Sequence, residues 1–598
     1  MIRKTKIGII AALASMSLIF TACSSDASST STAASVTEEQ VTTEESEEAD
    51  SSTEDTGTGN GTYLSTTTST STDGMITDPS TLDLSSMFTS RDLETGYDES
   101  TSTAITLNGD SIEVSGSGAT VDGTTVTITD EGTYIISGEL SDGQIIVAAE
   151  DTTKVQLVLN GVTITNDDSA CIYIKSGDKV FITLAAGTTN TLSDTGSEYV
   201  QTDENNVDGV IFSKSDVTFN GSGTLVINAN YDHGIVGKDD LKFTGGTYVI
   251  TATGHAIVAN DSVRIKDGTF NLTSGDGKDG IQTSNEEETG KGYIYIEGGD
   301  ITITASDDGI HAATALIIAG GTINITESYE GLEGDTIDIT GGDITVVASD
   351  DGLNASTSTA QESNDWSAVM DSDDNAYIRI TGGTVYVNAQ GDGIDSNGML
   401  YIEGGEVYVD GPTESMNGAL DTGYSATISG GTVVAAGASG MVETFDTDST
   451  QYSISYTFES TVSGGTEVTL TDSDGNVVFS YTPSKNFQNI VISTPDLTEG
   501  TYTITAGDLS EEITVSSIST TAGSSQGMGM GGMGGGPGGG GMGGGRGGMD
   551  NSGMDSSGEM PTDGEMPSGE MPSGEMPSGG NMGQGGPGGG GQAPGNNN

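Results

Sequence analysis

Between Leu241 and Ala436 apolar and polar residues alternate in paired short runs, each pair hinged on Gly-Gly or Asp-Gly. The pairs read FTGGTYVIT, IKDGTFNLT, IEGGDITIT, IAGGTINIT, ITGGDITVV, ITGGTVYVN, IEGGEVYVD and ISGGTVVAA. Alternation with a period of two puts every second side chain on one face of a β-strand. The second glycines fall 22 residues apart from Gly246 to Gly268 and from Gly299 to Gly321, 21 on to Gly342, and 22 from Gly383 to Gly405. A fixed period of this size in an alternating pattern predicts an all-β solenoid, whose coils contact only their neighbours and are not stable alone.

Aligned on the glycines, the phrases form columns. One runs Leu241, Val263, Ile294 and onward to Ala426, and the next inward one Phe243, Ile265, Ile296 and onward to Ile428. After the glycines come Tyr248, Phe270, Ile301 and onward to Val433, then Ile250, Leu272, Ile303 and onward to Ala435. Stacked, these predict a core of four apolar columns with no helix. Glycine suits the hinge because the backbone there must turn sharply, often with positive φ.

Flanking segments depart from this pattern and set the domain organisation. Residues 1–23 carry Arg3, Lys4 and Lys6, then an apolar run from Ile7 to Phe20 that is too short for a lasting membrane span, and read as a secretion signal. The Phe-Thr-Ala-Cys ending resembles a bacterial lipobox, with Cys23 as the lipidated residue and the outer face of the cell membrane as the location; plain secretion is the alternative. Residues 24–100 are Ser-, Thr- and Glu-rich and read as a disordered stalk. The solenoid takes 101–450, its first coils less regular, as terminal repeats are. Residues 451–518 read as a small antiparallel unit with an Asp474-Gly475 hairpin turn that covers the open end. Residues 519–598, Gly- and Met-rich with GEMPS repeats, cannot form a core and read as a disordered tail.

Charge narrows the partners. With 17 Lys plus Arg against 88 Asp plus Glu, the net charge of −71 excludes nucleic acid and an anionic membrane surface as direct partners and favours cations. If Cys23 is lipidated, Cys171 has no intrachain partner, and it reads as a small buried residue.

The acids are ordered at a corner after the second run, in KDGIQ, DDGIH, YEGLE, DDGLN, GDGID and NGALD. Asp279, Asp308, Glu330, Asp351 and Asp392 precede the glycine, and Gln282, His311, Glu333, Asn354, Asp395 and Asp421 line up beyond it. Coils lie about 4.8 Å apart, where two carboxylates repel by roughly 3–4 kcal/mol at an effective dielectric near 20. Such a column requires water or a bound cation, and hard oxygens from adjacent coils suit calcium. The competing explanation is ordinary Asp-Gly turn chemistry with solvated acids. Asp307, Asp308, Glu330, Glu333, Asp350 and Asp351 form the main candidate cluster, and Asp392, Asp395 and Asp421 a second; Asp279 belongs to the same edge. His311 reads as a solvated or hydrogen-bonded corner residue, and His233 and His255, aligned one coil apart, as a structural stack.

Outward positions suggest a binding face. Tyr386 and Tyr408 follow Thr302, Asn324 and Thr345 on the second run, and Tyr295, Arg379 and Tyr401 share the first with Asp338 and Thr427. Flat aromatic and hydroxyl groups on a rigid strip can stack on and hydrogen-bond to sugars, although Thr and Tyr are favoured on any exposed strand. Trp366, in the insertion between Ala355 and Ala376, could clamp a ligand against the strip.

The order of TVTITDEGTYIISGEL, KVQLVLNGVTIT, SACIYIKSGDKVFITLAAGTTNTLSD and DGVIFSKSDVTFNGSGTLVI, followed by the coils, resembles a bacterial family of secreted carbohydrate-binding proteins over residues 105–517. Those proteins are right-handed parallel β-helices, calcium-containing relatives of the pectate lyases of polysaccharide lyase family 9. The resemblance implies calcium along the helix, at the corner acids named above, and affinity for cellulose and for acidic sugars such as polygalacturonate. It leaves two other functions open. A calcium-dependent pectate-type lyase needs a Lys or Arg base beside the cation. Arg379 is the only Lys or Arg between Gly292 and Gln451, so Lys278 in the preceding coil is the candidate. A surface adhesin would use calcium for rigidity alone.

Overall fold

A computed structural model describes residues 79–357 and 375–524, and they are all-β, with only two 3₁₀ turns at Pro79–Thr81 and Leu84–Ser86. From Thr103 to Gly437 nearly every strand pairs in parallel with strands one coil before and one coil after it. The predicted columns are the observed register: Leu241 pairs with Val263, Val263 with Ile294, Ile294 with Leu316, and the line continues through Ile337, Ile378 and Leu400 to Ala426. The column from Tyr248 through Phe270 and Ile301 to Val433 is likewise continuous and buried. Like residues meet like, so Phe219 stacks on Phe243 at 4.9 Å and Tyr248 on Phe270 at 4.8 Å.

The second glycine of each hinge has positive φ, from 81° at Gly405 to 136° at Gly268. Here the left-handed backbone that glycine tolerates is what lets the chain turn between strands.

Each coil contains a third strand that the alternation did not reveal. The corner segments Ile257–Ala259, Ile281–Thr283, Leu353–Ala355 and Ile394–Ser396 stack in parallel with one another and with the first residues of Ile310–Ile318 and Leu332–Ile339. Their inward column, Ile257, Ile281, Ile310, Leu332, Leu353 and Ile394, is fully buried and closes the third side of the core. With about three residues each, these strands are too short to show a period.

Two boundaries differ from expectation. The end of the expected stalk, residues 79–100, includes a strap on the outer face of the first-strand stack. Asp92, wholly buried, forms an ion pair with Lys179 at 2.6 Å and accepts from the Thr218 hydroxyl at 2.6 Å. The Asn220 amide donates to the Asp92 and Glu94 carbonyls, Arg91 lies over the Phe181 ring at 4.3 Å, and Met87 packs with Tyr293, Tyr295 and Ile317. A polar segment stays ordered here because its one buried charge meets a cation and its few apolar residues meet tyrosines. At the other end, Ser519–Gly523, expected in the tail, pairs in parallel with Ser453–Val462. The predicted signal, Cys23, Trp366 and the tail beyond Ser524 lie outside the described residues.

The C-terminal unit caps the stack through Phe487–Ser493, which pairs antiparallel with the last coil strand, Thr432–Gly437. Val468–Asp472, Val477–Tyr481, Gly500–Ala506 and Leu509–Val515 form a separate antiparallel sheet, with Gly475 at φ 87° in the expected hairpin turn.

Burial by itself would raise the Asp92 carboxyl, but Lys179 and Thr218 outweigh it and hold its pKa well below the usual carboxylate range. Its contribution is therefore fully present above about pH 4 and is lost only in strong acid. Asp92→Ala, which strands Lys179 under the strap, is expected to undock residues 79–97 and speed their proteolysis by on the order of tenfold or more, leaving the strand signal in circular dichroism unchanged. Unchanged proteolysis would mean that Met87 packing holds the strap alone.

Candidate functional site

The acidic corner is built by two constraints on consecutive residues. The glycine after each acid packs with no room for a Cβ: at Gly352 one would come 2.1 Å from Val387 Cγ1 and 2.5 Å from the Gly393 carbonyl oxygen, and at Gly309 2.6 Å from Ile325 Cδ1. None of Gly280, Gly309, Gly331, Gly352 and Gly393 has positive φ. Asp-Gly here reflects close approach of the corner to the core rather than turn chemistry.

The acid before the glycine reaches along the stack. Asp279 Oδ1 accepts the Asp308 N–H at 3.1 Å, Asp308 Oδ1 the Glu330 N–H at 3.3 Å, and Asp351 Oδ1 the Asp392 N–H at 2.5 Å. Asp392 Oδ1 accepts from the Gly418 N–H. The two earlier histidines continue the same ladder: His233 Nδ1 accepts from the His255 N–H at 2.9 Å and His255 Nδ1 from the Asp279 N–H at 3.0 Å, their rings stacked at 5.0 Å. A ligand role for either imidazole would cost that bond.

Ligand atoms of these corner residues also converge. Asp308, Glu330 and Glu333 bring ligand atoms within 4.8 Å of one another, as do Asp351, Asp392 and Asp395, and Asp279, Asp308 and His311. The second expected cluster thus gains Asp351, while Asp421 lies on the adjoining coil, paired with Asp395 in the strand register, and stays outside the group. Asp307 and Asp350, expected in the main cluster, also fall outside these groups. They sit one residue earlier, where the Asp350 carboxylate pushes the pKa of the Tyr329 hydroxyl up to about 12. His311 is a hydrogen-bonded corner residue, its Nδ1 3.1 Å from Glu333 and 3.4 Å from Asp308. Burial works against its imidazolium, but Asp308, Glu333 and Asp279 outweigh burial and hold its pKa above the usual histidine range.

Calcium holds oxygens at about 2.3–2.6 Å, so two ligands across one ion stand up to about 5 Å apart. The Asp308–Glu330–Glu333 and Asp351–Asp392–Asp395 groups meet that span with hard oxygens alone, and so fit the ion. The Asn354 amide donates to Glu330 at 2.7 Å, fixing its carboxylate.

One acidic group was missed. Asp216, Asp239 and Asp240 also converge, at the start of the first strands, and Asp240 is 2.6 Å from Arg264 and 3.6 Å from Lys242. The signal was present, since SDV and DDL align one coil apart, but these acids already have cationic neighbours.

The expected sugar-binding strip is largely covered. Tyr295 is 5% exposed beneath the strap. The Tyr386 hydroxyl donates to buried Asp410 at 2.8 Å, alongside the Ser484 N–H and Tyr481 hydroxyl of the cap, and Tyr408 stacks on Tyr481 at 5.5 Å. Both serve the cap interface. Arg379, bonded to Asp338 at 2.6 Å, and Tyr401, edge-on to Tyr377 at 6.4 Å, remain partly open.

Residues 122–373 match the model of a family described as carbohydrate-binding domain-containing protein. A protein of that description from Acetivibrio thermocellus is 44% identical over 213 residues, 36% of this chain and 72% of the relative. The chain belongs to this carbohydrate-binding domain family. A solved structure of a polysaccharide lyase-like protein from C. thermocellum, as a gadolinium derivative, is 35% identical, with a TM-score of 0.35 over 43% of this chain and 98% of that one. The part of this family member matched by the family model holds the whole Asp308–Glu330–Glu333 group, while Asp392 and Asp395 lie beyond it.

Burial raises the carboxyl pKa of Glu330 to about 8, of Asp392 and Asp279 to about 7 and of Asp351 to about 6. Without a cation, the folded edge holds protons that the unfolded chain has lost above about pH 4, so stability falls as pH rises from there to about 8. In chelator the melting temperature is expected to be a few degrees higher at pH 5 than at pH 8, and calcium is expected to remove most of that difference. A melting temperature that rises with pH in chelator would contradict a desolvated edge.

Proposed function

We propose that this protein is a non-catalytic extracellular carbohydrate-binding protein, wound as a right-handed parallel β-helix, that holds calcium along its acidic corner and recognises plant cell-wall polysaccharide. The carrying observation is the repeated convergence of carboxylate oxygens from adjacent coils within 4.8 Å. Asp308, Glu330 and Glu333 would hold one ion and Asp351, Asp392 and Asp395 another. Bound calcium supplies positive charge that a uronate carboxylate can share, which gives this strongly acidic chain a means of holding polygalacturonate. Lipidation of Cys23 would keep it at the outer face of the cell membrane.

The test is retention of the protein on immobilised polygalacturonate and on cellulose, in calcium and in chelator. Retention on polygalacturonate in calcium is expected, with loss of about tenfold or more in chelator and in Asp395→Asn, while circular dichroism keeps the strand signal. Chelator-resistant binding would separate the sugar from the corner, and no retention on either polymer would favour the adhesin.

Lys278 keeps a lyase as the second reading. Its carbonyl accepts the Asp307 N–H at 3.2 Å, one coil from Asp308, and among the described residues its ammonium has no carboxylate within ion-pair distance. On the binding reading no unsaturated uronate accumulates on prolonged incubation with polygalacturonate and calcium. Ultraviolet-absorbing product that disappears in Lys278→Ala would make the protein an enzyme.

A further inference from the structure

Beneath the strap lies a row of cations. Lys242 and Arg264 share one column on adjacent coils, and Lys179 stands two coils earlier on the same face. We propose that the strap is an autoinhibitory cover on this row, which, once uncovered, binds the carboxylates of an acidic glycan without calcium; the inference rests on the carbohydrate-binding reading and gives it a second, gated site away from the acidic corner.

Lys242 carries the argument. Its side chain is 8% exposed, and among the described residues its one carboxylate partner is Asp240, at 3.6 Å and past hydrogen-bond reach. Asp240 is already engaged, 2.6 Å from Arg264 and accepting from the Ser262 hydroxyl at 2.6 Å. Burial lowers the Lys242 pKa, and the like charges of Arg264 and Lys179 lower it further. An ammonium has three donors, and a carboxylate laid between Lys242 and Arg264 would give both cations a close acceptor.

The strap itself shows what the face accepts. The Asp92 carboxylate sits 2.6 Å from Lys179, the Met87 carbonyl accepts from Arg264 at 3.4 Å, and the Asp92 carbonyl accepts from Asn220 at 3.2 Å and Thr244 at 3.1 Å. A face that served only to seat a strap would gain most from apolar contact. This one offers ammonium, guanidinium, amide and hydroxyl groups, the complement of a polymer carrying carboxylates and hydroxyls. Asp92 acts as an internal competitor at one end of the row, while no strap carboxylate reaches Lys242.

The cover is lightly held. Of residues 80–97 only Met87 and Asp92 are buried, and the strap adds no strand to the sheet. The N–H groups of Leu84, Ser86, Asp92, Leu93 and Glu94 close turns within the strap instead. Few buried contacts and local hydrogen bonds belong to segments that open at low cost. A closed cover lowers the apparent affinity by the fraction of molecules that are open.

Affinity electrophoresis of the full-length protein through gels containing polygalacturonate, in chelator, tests the proposal, because the corner is then without calcium. Asp92→Ala and Met87→Ala both open the strap, and the second leaves the charge unchanged. Each is expected to be retarded about tenfold more strongly than wild type. Lys242→Gln added to Met87→Ala is expected to remove that gain, with circular dichroism keeping the strand signal. Opened variants that migrate as wild type would overturn the proposal, and so would a gain that survives Lys242→Gln. A gain in gels of poly-glutamate but not of polygalacturonate would assign the face to an acidic peptide and overturn the glycan. Wild type held by polygalacturonate in calcium, with no gain for opened variants in chelator, would overturn the strap site alone. A gain in chelator with no effect of calcium on wild type would overturn the corner alone, and failure in every gel would overturn both readings.

Discussion

Parallel stacking in strict register is the constraint on which everything else depends. Apart from bulges beside Thr244, Thr304 and Ala313, most strand residues from Asp240 to Ile402 meet the equivalent residue of the next coil, so a column multiplies whatever chemistry it contains. For isoleucine and valine this is cheap, because identical branched side chains pack on a pleated surface and the column remains dry. For carboxylates it is expensive, since each adds repulsion from both neighbours in a partly desolvated corner. The carboxylate to N–H bonds satisfy one oxygen each of Asp279, Asp308, Asp351 and Asp392, while Glu330 accepts from the Asn354 amide instead. The repulsion in such a column is relieved by protons kept on Glu330, Asp392 and Asp279, by the His311 imidazolium, or by a bound cation.

Much of this was legible because the period carries it. Once Gly246, Gly268 and Gly299 are aligned, the pairing of Tyr248 with Phe270 and Ile301 follows, and the structure has those pairs. The acid column was legible for the same reason. The cause of its glycines was not: Asp-Gly has the appearance of a turn, yet Gly352 is required because Val387 and the Gly393 carbonyl occupy the space a side chain would need. Local sequence cannot distinguish a glycine that turns the chain from one that admits a neighbour.

Long-range contacts escaped the sequence altogether. Nothing around Asp92 announces that it meets Thr218, a residue 126 positions away. Composition made residues 79–100 look like linker, and a single charge matched to Lys179 reverses that. Tyr386 and Tyr408 stand in an outward column as expected, but the cap reaches back over them through Ser484 and Tyr481 to Asp410. An outward-facing residue in a solenoid is exposed only if no terminal segment returns to cover it, and periodicity holds no record of such returns.

These covers divide the surface chemically. Arg91, Lys179, Lys242, Arg264 and Lys266 gather on the first-strand face with the strap, matched to Asp92, Asp240 and Glu297 and to aromatic rings. The corner from Asp279 onward collects carboxylates, with Lys278 and His311 as cationic side chains beside them. The same register thus holds two charge regimes apart on one stack: matched ion pairs under the strap, and at the corner crowded carboxylates that meet their like in neighbouring coils.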